Sequence, residues 1–176
     1  MESSPNLPND RKESLAVLDA YVASHGLKSS PPKAFRLAPL AFRPDLMVLR
    51  PHRAPLALTL RSATVKPSDR YCYTTHTYLD PRKIEVAQRC ADLPGAMFEP
   101  VIAYVMKTCR PTGPGLFAWQ GCLYNVLGVR PADFLRRMKA RAGLTWDKYD
   151  ISAAHFEEFA RPLSHWLSNS GLEVVA

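Results

Sequence analysis

The chain has 176 residues, of which 47% are hydrophobic and 22% are charged, and this length and balance are typical of one folded domain with a sizeable core. No apolar run approaches the roughly 18 residues that a membrane span needs, and the polar N-terminus has no apolar signal segment, so we expect neither a membrane protein nor an exported one. Lysine and arginine outnumber aspartate and glutamate by 23 to 16, for a net charge of +7, which favours a polyanion such as nucleic acid as the partner.

The cysteines are scattered along the chain, with no CxxC pair and no nearby histidine at zinc-ligand spacing. They are Cys72, Cys90, Cys109 and Cys122. We therefore expect free thiols, and with them an intracellular, reducing compartment.

The N-terminal part of the chain predicts an order of helix, three strands, helix and strand. Leu18 and Val22 share a helical face, and Gly26 follows where a C-terminal cap is expected. Prolines separate three short extended segments, and Asp80-Pro81 is typical of a helix start. The predicted elements are a helix over 9–24, strands over 34–37, 46–49 and 56–60, a loop or edge strand over 69–79, a helix over 81–93 and a strand over 101–106 that is buried on both faces.

A proline- and glycine-rich segment over 110–115 marks the predicted boundary between two parts of the chain. Residues 1–110 are expected to form an α/β core, and residues 111–176 a helical C-terminal extension packed on it. Pro162 should kink or shorten the last helix. The predicted helices of the extension cover residues 122–127, 131–142 and 152–167.

Pro44-Asp45 stands at the head of the second predicted strand. With this motif, the order of elements over 9–107 resembles the PD-(D/E)XK nuclease superfamily, most closely its archaeal Holliday-junction-resolvase branch. The resemblance implies a restriction-endonuclease-like core in which acidic residues hold Mg²⁺ and a lysine activates the attacking water. It assigns Glu13, from the first helix, and Asp45 as the metal ligands.

The residues that complete this motif differ from the family pattern. Thr59 stands where the resemblance requires a second carboxylate, and Arg61 stands where it requires the lysine. Threonine is not a charged metal ligand, and an arginine stays protonated, so neither replaces the missing group. We therefore expect a nuclease-like scaffold that has lost cleavage and needs no cofactor. An active Mg²⁺-dependent nuclease stays open as an alternative, with Glu85 and Lys83 of the second helix in the missing roles.

Basic and aromatic residues accompany the strands of this motif. Around the face where the family meets DNA they would neutralise phosphates, and the tyrosines would stack on unpaired bases. A second basic cluster lies on a predicted amphipathic helix, where a solvated surface is the other explanation. The candidate nucleic-acid-binding residues are Arg43, Arg50, Arg53, Arg61, Lys66, Arg70, Tyr71, Tyr73, Arg136, Arg137, Lys139 and Arg141.

A different chemistry is suggested by Cys122, which follows Gln120-Gly121 and precedes an apolar run. The segment is similar to the nucleophile segment of viral papain-like and ovarian-tumour-type cysteine proteases, in which a helix N-terminus and a histidine lower the pKa of the thiol. His155 and His165 are the histidines downstream. The resemblance would make Cys122 the nucleophile and one of them its base.

The leading hypothesis from the sequence is a catalytically degenerate, resolvase-like protein that binds DNA or RNA, or assists assembly within a larger protein complex. The active nuclease, the cysteine protease and a protein-interaction module without nucleic-acid affinity stay open beside it.

Overall fold

Five helices and eleven strands form the part of the chain that the structure, a computed structural model, describes: residues 10–32, 35–37, 40–65, 81–95, 97–137, 139–140, 149–150 and 153–168. The helices are α1 (Arg11–Ser24), α2 (Pro81–Asp92), α3 (Pro131–Arg137), α4 (Ala153–Phe159) and α5 (Ser164–Leu167). The strands are β1 (Lys28–Ser30), β2 (Phe35–Leu37), β3 (Leu40–Phe42), β4 (Leu46–Leu49), β5 (Leu56–Thr64), β6 (Glu99–Thr108), β7 (Leu116–Trp119), β8 (Cys122–Val129), β9 (Lys139–Ala140), β10 (Tyr149–Asp150) and β11 (Arg161–Pro162).

Seven of these strands form one sheet in the order β1-β4-β5-β6-β8, with β7 and β11 both paired to the outer edge of β8. The pair β5 and β6 is parallel, and the chain between them contains α2. The other pairs of this sheet are antiparallel. Two short antiparallel pairs, β2 with β3 and β9 with β10, lie outside it.

Helix α1 covers one face of the sheet. Asp10 caps its N-terminus, because the Asp10 side chain accepts a hydrogen bond from the backbone N–H of Glu13 at 2.7 Å. Val17 and Leu18 are fully buried and belong to one hydrophobic cluster with Leu58 and other residues that alternate along the strands. Trp166 and Leu167 of α5 belong to the same cluster as α1. The opposite face of the sheet packs against α2, α3 and α4, so the sheet is the middle layer of the fold.

The prediction of two N-terminal helices and a buried central strand is confirmed. Helix α1 and α2 lie where capping and periodicity placed them, and β6 is buried from Pro100 to Thr108. The predicted strands over 46–49 and 56–60 are β4 and β5. The strand predicted over 34–37 is present as β2, although it pairs with β3, and the unpredicted β1 takes the edge of the main sheet. The predicted loop or edge strand over 69–79 lies outside the described residues.

The helix predicted over 122–127 is wrong, because this segment is strand β8. Gln120 and Gly121, both with positive φ, make the two-residue turn that connects β7 to β8. The helix predicted over 131–142 ends at Arg137, before β9. Pro162 shortens the last helix as expected, since β11 separates α4 from α5.

The described part of residues 111–176 contains both strands and helices, and three of its strands join the main sheet. The expected α/β class is present, and so are the helices α3, α4 and α5 in this part of the chain. The strands that it adds to the main sheet are β7, β8 and β11. The predicted division near residue 110 stays a prediction, and strands from both sides of it share the sheet. No helix among the described residues is long and apolar enough to cross a membrane.

Gly128 allows Trp166 to pack directly on strand β8. A Cβ at Gly128 would lie 2.5 Å from Cζ3 and 2.6 Å from Cε3 of the Trp166 indole. We expect Gly128→Ala to destabilise the protein by about 1–3 kcal/mol, because the indole has to move within a packed core. Urea unfolding followed by circular dichroism measures this.

Trp166→Leu removes the clashing atoms and is the matched background for this experiment. There, Gly128→Ala should cost clearly less, which a double-mutant cycle detects as a coupling free energy between the two positions. An equal cost in both backgrounds would contradict the packing of Trp166 on Gly128.

Candidate nucleic-acid interface

Asp45 lies directly opposite Thr59, at the point where strand β4 begins. Leu46 pairs with Leu58 in the β4–β5 register, which places the preceding Asp45 across from Thr59. The Asp45 backbone N–H donates to the Leu58 carbonyl at 2.7 Å, and the Leu60 backbone N–H donates to Asp45 Oδ2 at 2.7 Å. These bonds fix both the backbone and the carboxylate of Asp45 beside β5.

A cavity of about 410 Å³ opens at this position, and we call it the Asp45 cavity. Asp45 and Thr59 contribute its sheet side, and Arg82 and Lys83 contribute from helix α2. Arg43, whose side chain is exposed, lines it from the turn before β4. The spacing of the motif in the sequence therefore brings Asp45 and Thr59 together, and three basic side chains share their cavity.

Arg11 from helix α1 donates to Asp45 Oδ1 and forms an ion pair with it. Both oxygens of the Asp45 carboxylate therefore accept hydrogen bonds from the protein, one from a side chain and one from the backbone. The Asp45 side chain is largely buried, whereas that of Arg11 is 67% exposed. The pair places a second charge of opposite sign at the edge of the Asp45 cavity.

Glu13, the other predicted metal ligand, has different partners. Lys107 Nζ donates to Glu13 Oε1 at 2.9 Å, and the hydroxyl of Tyr124 donates to the same oxygen. The Lys107 side chain is only 3% exposed and that of Glu13 14%. Glu13 is absent from the described lining of the Asp45 cavity. The structure thus gives Glu13 a part in a buried ion pair between α1 and the sheet.

Arg61 lies two residues beyond Thr59 on β5, so its side chain leaves the same face of the sheet. Burial lowers the pKa of its guanidinium; nearby Tyr104 raises it and Arg11 lowers it further. This half-buried arginine adds a fixed positive charge to the face of the sheet that carries Thr59, where the family resemblance requires a titratable lysine.

Glu85, proposed as a relocated ligand, is half-buried on α2 and is absent from the described lining of the Asp45 cavity, whereas Lys83 is part of that lining. Within the described ranges, no group of three or more His, Cys, Asp or Glu side chains is arranged to hold a metal ion. Asp45 is the one carboxylate among the described residues that line the cavity.

Arg50 is 6% exposed and lies inside the protein. Its guanidinium donates to the carbonyls of Ala54 and Trp166, the latter at 3.0 Å, and to Glu99 Oε2 at 2.8 Å. Burial lowers the pKa of Arg50, and the hydrogen bond that Arg50 donates to Glu99 opposes this effect. The sequence placed Arg50 among the nucleic-acid-binding residues; the structure corrects this, because its donors are used within the fold.

The remaining candidate binding residues fall into three groups. Arg53 is partly exposed and forms an ion pair with Glu99, in which Nη2 lies 3.6 Å from Oε2. The exposed Arg136 forms an ion pair with Asp133, three residues earlier on α3. Arg137 lies in α3 and Lys139 in β9, on backbone that the structure describes. Outside the described residues are Lys66, Arg70, Tyr71, Tyr73 and Arg141.

The arrangement expected for a cysteine protease is not present at Cys122. This residue begins a strand instead of a helix, is 3% exposed and belongs to the hydrophobic cluster under α1. No helix dipole therefore acts on its thiol. His165 is exposed on α5 with its ring 5.0 Å from that of Trp166, and His155 lies in α4. The correction follows from the local fold, because β8 replaces the helix that the hypothesis requires.

Comparison with known proteins gives a likeness in fold. No family model matches the chain, and no curated protein does. Among solved structures, the chain is similar to Hjc, a Holliday junction resolvase from the archaeal hyperthermophile Archaeoglobus fulgidus, with a TM-score of 0.51 and 12% sequence identity. The likeness covers 86% of this chain and 94% of the resolvase. The chain has a nuclease-like α/β fold.

The resolvase-like fold contains functional candidates that sequence reasoning missed. Arg11 gave no signal beyond its place two residues before Glu13, and Lys107 was visible only as a charge directly after the apolar run over 101–106. Tyr124 lies in the apolar segment over 122–127, for which the sequence predicts a helix, so its contact with Glu13 could not be predicted. Their partners lie 34 to 111 residues away in the chain, so no local pattern identifies them.

The buried Glu13–Lys107 pair should be tested by removing one partner. We expect Glu13→Ala to destabilise the protein by about 3–5 kcal/mol, because it removes the carboxylate that forms an ion pair with the buried Lys107 ammonium. Replacement of Glu13, Lys107 and Tyr124 together by Leu, Met and Phe should restore much of the loss. Urea unfolding measures both; a triple variant less stable than Glu13→Ala would contradict the argument.

Thiol labelling distinguishes a buried Cys122 from a catalytic one. Cys109 is exposed, whereas Cys90 and Cys122 are buried and outside any disulfide, and burial raises the pKa of Cys90. In the folded protein, iodoacetamide should therefore modify Cys109 before either of them. Mass spectrometry of peptides from a labelling time course measures the order. Preferential modification of Cys122 would revive the protease alternative.

Proposed function

We propose that this protein binds DNA or RNA through the Asp45 cavity without cleaving it. The observation that carries the proposal is the composition of that cavity on a nuclease-like scaffold. Thr59 stands opposite Asp45, and the cations Arg43, Arg82 and Lys83 line the same cavity. The cavity therefore combines one carboxylate with several groups that attract phosphate.

Electrostatics supports a nucleic-acid partner. Lysine and arginine side chains that neutralise phosphates release counterions from the nucleic acid, and this release contributes most of the affinity in sequence-independent binding. The net charge of +7 adds long-range attraction for a polyanion. The similar fold of a Holliday junction resolvase supports the same class of partner by analogy.

The side chains around Asp45 support binding without hydrolysis. A metal-dependent nuclease needs negatively charged oxygen ligands that offset the charge of the cation, and Thr59 supplies only a neutral hydroxyl. Arg61 carries a fixed charge, so it does not exchange a proton with an attacking water. Arg61 and its neighbours do retain the donors that bind phosphate oxygens.

Binding should be measured by fluorescence anisotropy with a four-way junction, duplex DNA, single-stranded DNA and single-stranded RNA over a range of salt. We expect a dissociation constant of roughly 10⁻⁶ to 10⁻⁴ M near physiological salt and a tighter one below it. Arg82→Ala should weaken binding and reduce the slope of log affinity against log salt by about 1, because one phosphate contact is lost.

Arg89→Ala is the matched control, since Arg89 is an exposed arginine of the same helix outside the described lining of the cavity. Its effect should be clearly smaller. No affinity for any of the four nucleic acids at low salt would overturn the proposal. Mg²⁺-dependent cleavage that is lost in Asp45→Ala would overturn the absence of catalysis, and Glu85→Gln would then test the relocated ligand.

A further inference from the structure

Both oxygens of the Asp45 carboxylate are already bound by donors of the protein. Oδ2 accepts from the Leu60 N–H at 2.7 Å, and Oδ1 accepts from the Arg11 guanidinium. Mg²⁺, the ion that the family resemblance implies, binds carboxylate oxygens directly at about 2.0–2.1 Å and requires near-octahedral geometry. A guanidinium on Oδ1 opposes such a bond, because its positive charge repels the cation and it fills the space next to that oxygen.

The surrounding charge argues against a divalent cation as well. Asp45 is the one carboxylate among the described lining residues, whereas Arg43, Arg82 and Lys83 contribute positive charges to the cavity and Arg11 another beside it. Thr59, in the position of the second ligand, has no charge. The residues present therefore do not fit Mg²⁺, and their excess of positive charge fits an anion.

We infer that Arg11 occupies the position beside Asp45 that a divalent cation would need, and that the cavity binds a phosphate group without metal. The inference rests on the proposed nucleic-acid function and specifies its ligand class. A guanidinium is permanently charged and presents several N–H donors in a planar fork that matches phosphate oxygens. Arg11 is outside the described lining of the cavity but contacts its one carboxylate, and it is 67% exposed in that contact, so its guanidinium can also bind a phosphate beside Asp45.

Asp45 then has an orienting part in place of a metal-ligating one. The backbone N–H of Leu60 fixes its carboxylate, and the carboxylate in turn fixes the guanidinium of an otherwise mobile surface side chain. Holding that guanidinium in one position lowers the side-chain entropy that phosphate binding would cost. Arg11 thus supplies at this position the positive charge that a metal ion would bring.

The position of Arg11 can be tested by rebuilding a cation site. Thr59→Glu returns a carboxylate to the place opposite Asp45, and Arg11→Ala frees Asp45 Oδ1. We expect the double variant to bind Mn²⁺ about tenfold or more tightly than either single variant or the natural protein. Electron paramagnetic resonance of free Mn²⁺ measures this binding in the full chain.

Thr59→Asp in the Arg11→Ala background repeats the test with a shorter side chain, and circular dichroism checks that each variant is folded. Thr59→Glu alone should bind Mn²⁺ weakly, because Arg11 still occupies Oδ1. If Thr59→Glu with Arg11 retained binds Mn²⁺ as tightly as the double variant, the inferred position of Arg11 is wrong. If neither double variant gains Mn²⁺ affinity while both are folded, the inference is overturned too.

The phosphate part is tested with inorganic pyrophosphate by isothermal titration calorimetry in the presence of EDTA. The natural protein should bind it, and Arg11→Gln should weaken binding about tenfold. Absence of binding, or equal binding by Arg11→Gln, would overturn the inference. Nucleic-acid affinity is measured separately: if it is absent while pyrophosphate binds as expected, the proposed function fails and the phosphate site stands.

Discussion

The candidate site depends on two hydrogen bonds that hold Asp45 against strand β5. Its backbone N–H donates to Leu58 and its carboxylate accepts from Leu60, each at 2.7 Å, so the residue is held on both sides of Thr59. This anchoring uses only backbone groups of β5. These contacts of Asp45 therefore do not require any particular side chain at position 59, where the chain has a threonine.

Helix α1 has two side chains of opposite charge that contact the sheet at different places. Arg11 and Glu13 are two residues apart, which separates their directions by roughly 200° around the helix. Arg11 contacts Asp45, and Glu13 contacts the buried Lys107. An uncompensated buried ammonium costs several kcal/mol, and Glu13 supplies a negative charge to the buried Lys107 ammonium. The charge that α1 places beside Asp45 is positive, where the family resemblance had led us to expect a carboxylate.

Much of the fold and half of the site could be predicted because the signals are local. The Pro-Asp motif and the short strands that follow it determine that Asp45 faces Thr59, and the cap of α1 lies next to the residues it caps. Strand β8 could not be predicted in this way, because it is buried on both faces and its continuous apolar run lacks the alternation that separates a strand from a helix. The buried position of Arg50 could not be predicted either, because Trp166, whose carbonyl accepts its hydrogen bond, is 116 residues away.

The burial of some cations changes what the net charge means for binding. Arg50 and Lys107 contribute to the charge of the sequence, but their charged groups are compensated inside the protein by Glu99 and Glu13. Their ion pairs stabilise the fold and add little to the field outside it. The phosphate binding that we propose therefore depends on cations at the surface, and one of them, Arg11, contacts a carboxylate that is fixed by the sheet. Fixed position, more than the total charge, distinguishes a phosphate site from a merely basic surface.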